Sequence, residues 1–92
     1  MPQLFKIGRY IIYFWMNENI PLEPIHIHVS LGKLKANSTK IWITSDGGCI
    51  LCNNNSKIPK RTLKNITELI ALKSDEIIKA WKKIFGEVRF YC

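Results

Sequence analysis

Two histidines, set two apart in Pro24-Ile25-His26-Ile27-His28-Val29, are the residues whose types and spacing suit chemistry. Side chains repeat every second position in an extended chain, so both imidazoles leave one side of a strand while Ile25, Ile27, Val29 and Leu31 turn to the other. Two rings on one face, with Ser30 beside them, can supply an acid and a base near neutral pH to a phosphate ester. The catalytic reading is therefore a metal-independent ribonuclease or phosphoesterase, in which His26 and His28 share proton transfer and Lys40 stabilises the phosphate charge. A divalent metal held between His26 and His28 is the lesser reading, and two rings packed at a sheet surface and bonded to backbone is the plain one. Glu18 and Glu23 flank the loop before the strand, where a carboxylate can orient an imidazole.

Cys49-Ile50-Leu51-Cys52 has C-x-x-C spacing, and with the histidines a two-Cys, two-His zinc site can be written on paper. Residues i and i+3 of a strand point to opposite faces, so two small buried thiols are the better expectation. The chain has no Walker loop, no Gly-x-Gly-x-x-Gly, no Gly-x-Ser-x-Gly and no zinc-protease helix, and no cofactor is expected.

The formal charge is +7 over 92 residues. Residues 57–92 hold nine Lys/Arg against four Asp/Glu, so the basic character belongs to the last third. Lys57, Lys60, Arg61 and Lys64 precede any acidic residue of that segment, and Lys79 and Lys82 are expected on the same general side of a helix. Such a ridge suits a phosphate backbone or an acidic protein surface, and a solvated helix face is the bland alternative.

The elements that must position these groups follow from two periods. Residues 4–7 and 10–16 are β-rich and separated by Gly8-Arg9, which predicts a hairpin, and strands are expected over 25–31, 34–44 and 49–52. From Ile58 onward Leu63, Ile66, Ile70, Ile77, Trp81 and Ile84 recur at helical spacing. Pro59 opens that helix and Gly86 ends it, while Ser74-Asp75-Glu76 would equally start a second one. The sequence thus predicts one α+β domain over 1–92: an antiparallel sheet of about five strands (1–56), a long C-terminal helix or helix pair packed on one face (57–86), and a tail or edge strand (87–92). No segment approaches the roughly 18 apolar residues of a membrane span, no signal peptide opens the chain, and three cysteines are an odd set, so a cytoplasmic protein with reduced thiols is expected.

Several stretches together resemble the bacterial domain of unknown function family 4160. They are the opening Met-Pro, Gly8-x-Tyr10 running into Tyr13-Phe14, Asn17-Glu18, Glu23-Pro24-x-His26-x-His28-Val29, Lys40-x-Trp42 and Ala80-Trp81-x-x-x-Phe85. The Pro-x-His-x-His-Val element is the most specific, and Cys49 and Cys52 match nothing in the pattern. The resemblance implies a compact α+β bacterial protein, often encoded beside another small domain in arrangements that look like toxin–antitoxin pairs, and it supplies no established activity. The function expected is a binding module acting on RNA or on a protein partner, antitoxin-like or with an acidic surface. The ribonuclease is the alternative, and an inhibitor of phage or mobile-element origin a further one.

Overall fold

The computed structural model describes residues 3–15, 23–35 and 37–91. Five strands are followed by two helices: β1 Gln3–Ile7, β2 Tyr10–Tyr13, β3 His26–Leu31, β4 Thr39–Ile43, β5 Cys49–Asn53, α1 Lys60–Leu72 and α2 Ser74–Phe85. The sheet is an antiparallel meander in the order β1-β2-β3-β4-β5. The β1–β2 hairpin closes on Ile7 opposite Tyr10, and Gly8 takes φ +58°, a left-handed conformation that glycine adopts without a Cβ clash.

Alternation decides what each side of the sheet carries. Ile12, Ile27, Val29, Ile41 and Ile43 point to one side and are wholly buried under Ile66 and Ile70 of α1 and Ile77 and Trp81 of α2. Each such side chain contributes roughly 1.5 to 3 kcal/mol by leaving water, and that holds the helices on the sheet. Phe14, just past β2, meets Trp81 edge-on at 5.2 Å between ring centroids.

Several boundaries differ from expectation. The second strand stops at Tyr13 rather than running to 16; Phe14 and Trp15 lie beyond it, and Met16 falls outside the described residues. The fourth strand begins at Thr39 rather than at 34, because the Tyr13 hydroxyl reaches across to bond the backbone of Lys35 and holds that stretch as a loop. It ends before Thr44, whose hydroxyl takes the Gly48 N–H at 3.0 Å and bonds Asp46 in the turn. The helical segment is two helices. Lys73 breaks it at φ −106°, ψ 15°, and Asp75 and Glu76 sit in the first turn of α2, where carboxylates suit the helix dipole. Ile84, expected on the buried stripe, is exposed; Phe85, about one turn past Trp81, packs against that indole at 4.2 Å with the rings tilted by 41° and takes the place instead.

Gly86, at φ +84°, ends α2 and turns the chain back toward the sheet. Among the described residues of the tail, 87–91, there is no strand. The tail makes one backbone hydrogen bond with the start of the third strand, Ile25 N–H to Arg89 O at 2.8 Å, and Tyr91 then lies flat on Trp42, 4.9 Å between centroids and 8° between planes.

Candidate functional site

The histidines stand on the face of the sheet opposite Ile27, Val29 and Ile41. On β3, His26 stands opposite Trp42 of β4, and His28 is flanked by Tyr13 of β2 and Lys40 of β4. Cross-strand partners share a face, so these side chains converge by register alone. The imidazoles of His26 and His28 are 5.2 Å apart between centroids and nearly perpendicular. His26 also meets Trp42 at 5.6 Å and Trp81 at 5.5 Å, and His28 stacks on Tyr13 at 5.7 Å. Both rings leave the strand on one side, as the alternation requires. They do not lie open at a sheet surface: His26 is 3% and His28 5% exposed.

Each ring spends Nδ1 on a carbonyl. His26 Nδ1–H donates to Pro24 O at 2.8 Å, and His28 Nδ1–H to Ser38 O at 3.4 Å. A carbonyl only accepts, so the proton resides on Nδ1 and the lone pair of each neutral ring on Nε2. Burial pushes the His28 pKa down to about 4, helped by the neighbouring His26 and Lys40 and opposed by the Ser38 hydrogen bond. Burial lowers His26 as well, against the Pro24 hydrogen bond. At neutral pH the pair is uncharged. It can accept a proton or donate a lone pair; it does not hold a proton ready for a leaving group.

Lys40 reaches the same place and is already engaged. Its Nζ lies 2.9 Å from Glu23 Oε1 and 4.3 Å from the centre of the Trp42 ring, with the side chain 17% exposed. Burial raises the Glu23 carboxyl, and the Lys40 bond and charge outweigh it, so the pKa falls below the usual range. His26, His28, Lys40 and Glu23 therefore form one constellation, while Glu18 lies outside the described residues. Tyr13, Ser38, Trp42 and Tyr91 complete it and were not anticipated; Lys40-x-Trp42, an alternating pair on one strand, was the signal available for Trp42.

A family model, Domain of unknown function (DUF4160), matches residues 10–82, a span holding the histidine strand, Lys40, Trp42 and Trp81. The chain belongs to the DUF4160 family. No curated protein matches the chain, and no solved structure does.

Elsewhere on this DUF4160 chain, the cysteine pair does not converge on the histidines. Cys49 turns toward α1, its thiol 3.7 Å from Thr67 O, and burial raises its pKa. Cys52 is exposed, because the edge strand β5 leaves its other face uncovered; two buried thiols were expected, and Cys49 is only partly covered. Among the described residues, no group of three or more His, Cys, Asp or Glu is placed to hold a metal ion. No helix of the described residues is long and apolar enough to cross a membrane.

The six basic residues are all exposed, but they do not share one helix. Lys60, Arg61 and Lys64 lie on α1 with Lys57 just before it, and Lys79 and Lys82 lie on α2, beyond the break at Lys73. The two helices differ electrostatically. α2 follows the usual rule, with Asp75 and Glu76 at its start and Lys82 and Lys83 at its end. α1 has no acidic residue in its first turn and no side-chain cap, so Lys60 and Arg61 crowd the positive end of the helix dipole. Among the described residues, none of the six basic residues forms an ion pair.

Proposed function

We propose that this DUF4160 domain is an RNA-binding module that engages the phosphate backbone through the start of α1. The observation that carries the reading is the uncompensated cluster Lys57, Lys60, Arg61 and Lys64, exposed, free of ion pairs among the described residues and set against the helix dipole. A fold leaves such charges unpaired at a cost, and a polyanion offsets that cost by releasing counterions. The setting as one half of a toxin–antitoxin-like pair rests on the family resemblance alone. Fluorescence anisotropy with single-stranded RNA between 50 and 200 mM salt tests the reading. Four phosphate contacts give a slope of log K against log salt of about −3, and Lys60→Gln/Arg61→Gln should reduce it by about 1.4. Absence of binding, or an affinity indifferent to salt, would refute it.

A second reading is supported by the convergence of His26, His28 and Lys40 on one face. There a neutral imidazole would act as base toward a ribose hydroxyl, with Lys40 facing the phosphate charge. Purified protein incubated with RNA, beside His28→Gln with an unchanged far-UV spectrum, checks it. Equal cleavage by the two proteins, or none by either, removes the catalytic reading.

A further inference from the structure

A cleft of about 270 Å³ opens beyond the histidine face, where the β3–β4 turn meets the loop between β5 and α1. Lys33 and Lys35 line it from the turn, Lys57 and Ser56 from the loop, and Ser30 and Ser38 from the strand side. No carboxylate is among the described residues that line it. The volume lies just under the roughly 300 to 1,000 Å³ typical of sites for drug-sized ligands, so it suits a head group more than a whole extended molecule.

Two features separate this cleft from a chance gathering of lysines. Its walls are fixed before any ligand arrives. Ser56 Oγ donates to Val29 O at 2.8 Å and accepts from Thr39 N–H at 3.0 Å, while Asn55 Nδ2 bonds Asn37 O at 3.0 Å, tying the loop to the turn. On the other wall Lys35 N–H donates to the Tyr13 hydroxyl at 2.9 Å. The second feature is an unsatisfied donor. Ser30 is 3% exposed, and its Oγ has no hydrogen-bond partner among the described residues. A buried hydroxyl left unbonded costs stability, and native structures retain few of them.

We propose that this cleft is a phosphate-binding pocket for a phosphomonoester dianion. The class follows from the chemistry of the walls. Three lysines match a group that carries about −1.5 to −2 charges at pH 7, and its three peripheral oxygens accept from ammonium groups and from a serine hydroxyl. The pocket shares Lys57 with the basic cluster but takes its other two lysines, Lys33 and Lys35, from the β3–β4 turn rather than from α1.

Titration of the ¹⁵N-labelled full chain with inorganic phosphate, at ionic strength held constant with chloride, tests the pocket. Saturable amide shifts are expected at Ser30, Asn55, Ser56 and Lys57. Affinity should fall about tenfold in Ser30→Ala and at least as far in Lys33→Gln/Lys35→Gln, and stay at the wild-type value in Lys60→Gln/Arg61→Gln. A dinucleotide with a 5′-phosphate, set beside its 5′-hydroxyl form, identifies the source. Tighter binding than inorganic phosphate assigns the pocket to strand ends, and equal binding assigns it to the free anion; either supports the site. Ser30→Ala removes an unbonded hydroxyl and should fold at least as stably as wild type, so its result stays readable. No saturable shift at these amides, or shifts that survive both pocket variants, overturns the proposal.

Discussion

The imidazole of His28 stacks on the phenol ring of Tyr13, 26° from coplanar, and the two residues also share Ser38: His28 Nδ1 bonds its carbonyl and the Tyr13 hydroxyl its side chain. Burial keeps His28 neutral against the pull of the Ser38 hydrogen bond, which makes stability depend on pH. Its folded pKa, about 4, lies below the ordinary value of 6.5, so between these limits the unfolded chain takes up a proton that the folded chain refuses. Stability is therefore full above about pH 6.5 and falls as the pH drops toward 4, with His26 acting in the same direction. Allowing for partial solvent screening, His28 contributes about 2 kcal/mol of that loss. Urea midpoints at pH 7.5 and 4.5 measure it, and His28→Gln should flatten the difference. A midpoint that does not move in the wild type would contradict the buried neutral ring.

Tyr13→Phe keeps the stacking and deletes only the hydroxyl. The Lys35 N–H and the Ser38 hydroxyl then lose their common partner, and a loss of about 1 to 2 kcal/mol is expected in chemical denaturation. The same variant should raise hydrogen exchange at Lys35. Protection there equal to wild type would mean that something else pins the loop.

Trp81→Ala should cost about 3 to 5 kcal/mol, since the indole is 1% exposed and contacts Phe14, His26 and Phe85 at once. Trp81→Phe should cost much less. It retains an aromatic ring and removes an indole N–H that has no hydrogen-bond partner among the described residues. Equal losses in the two thermal melts would show that ring shape, not volume, governs the site.

Tyr91→Ala uncovers Trp42 without touching the Arg89 backbone bond that anchors the tail. Removing one stacked aromatic pair should cost about 0.5 to 1.5 kcal/mol and raise acrylamide quenching of tryptophan fluorescence. Unchanged quenching would place Tyr91 off the indole in solution.

How far the sequence disclosed these relationships varies with chain separation. Gly8-Arg9, the alternation around His26 and His28, and the spacing from Leu63 to Trp81 are local signals, and each led to the observed element. The start of β4 was misjudged because the group that stops it, the Tyr13 hydroxyl, lies 22 residues away. The burial of the histidines was illegible for the same reason: Trp42, Trp81 and Tyr91 come from a strand, a helix and the tail, and no local pattern says that they meet. The separation of Lys79 and Lys82 on α2 from the basic residues of α1 was hidden by Lys73, whose break carries no proline or glycine. Lys40 was expected to stabilise a phosphate charge, yet its partner Glu23 was read only as a guide for an imidazole.

The strict neighbour-to-neighbour order of the sheet has a consequence for how the molecule is made. Each strand pairs with the one made just before it, so the ladder can begin to assemble before the helices have been translated. The helices that roof it are translated afterwards, at roughly 5 to 20 residues per second. For some seconds the nascent sheet displays a bare isoleucine-rich underside, and in that interval the chain is most open to aggregation.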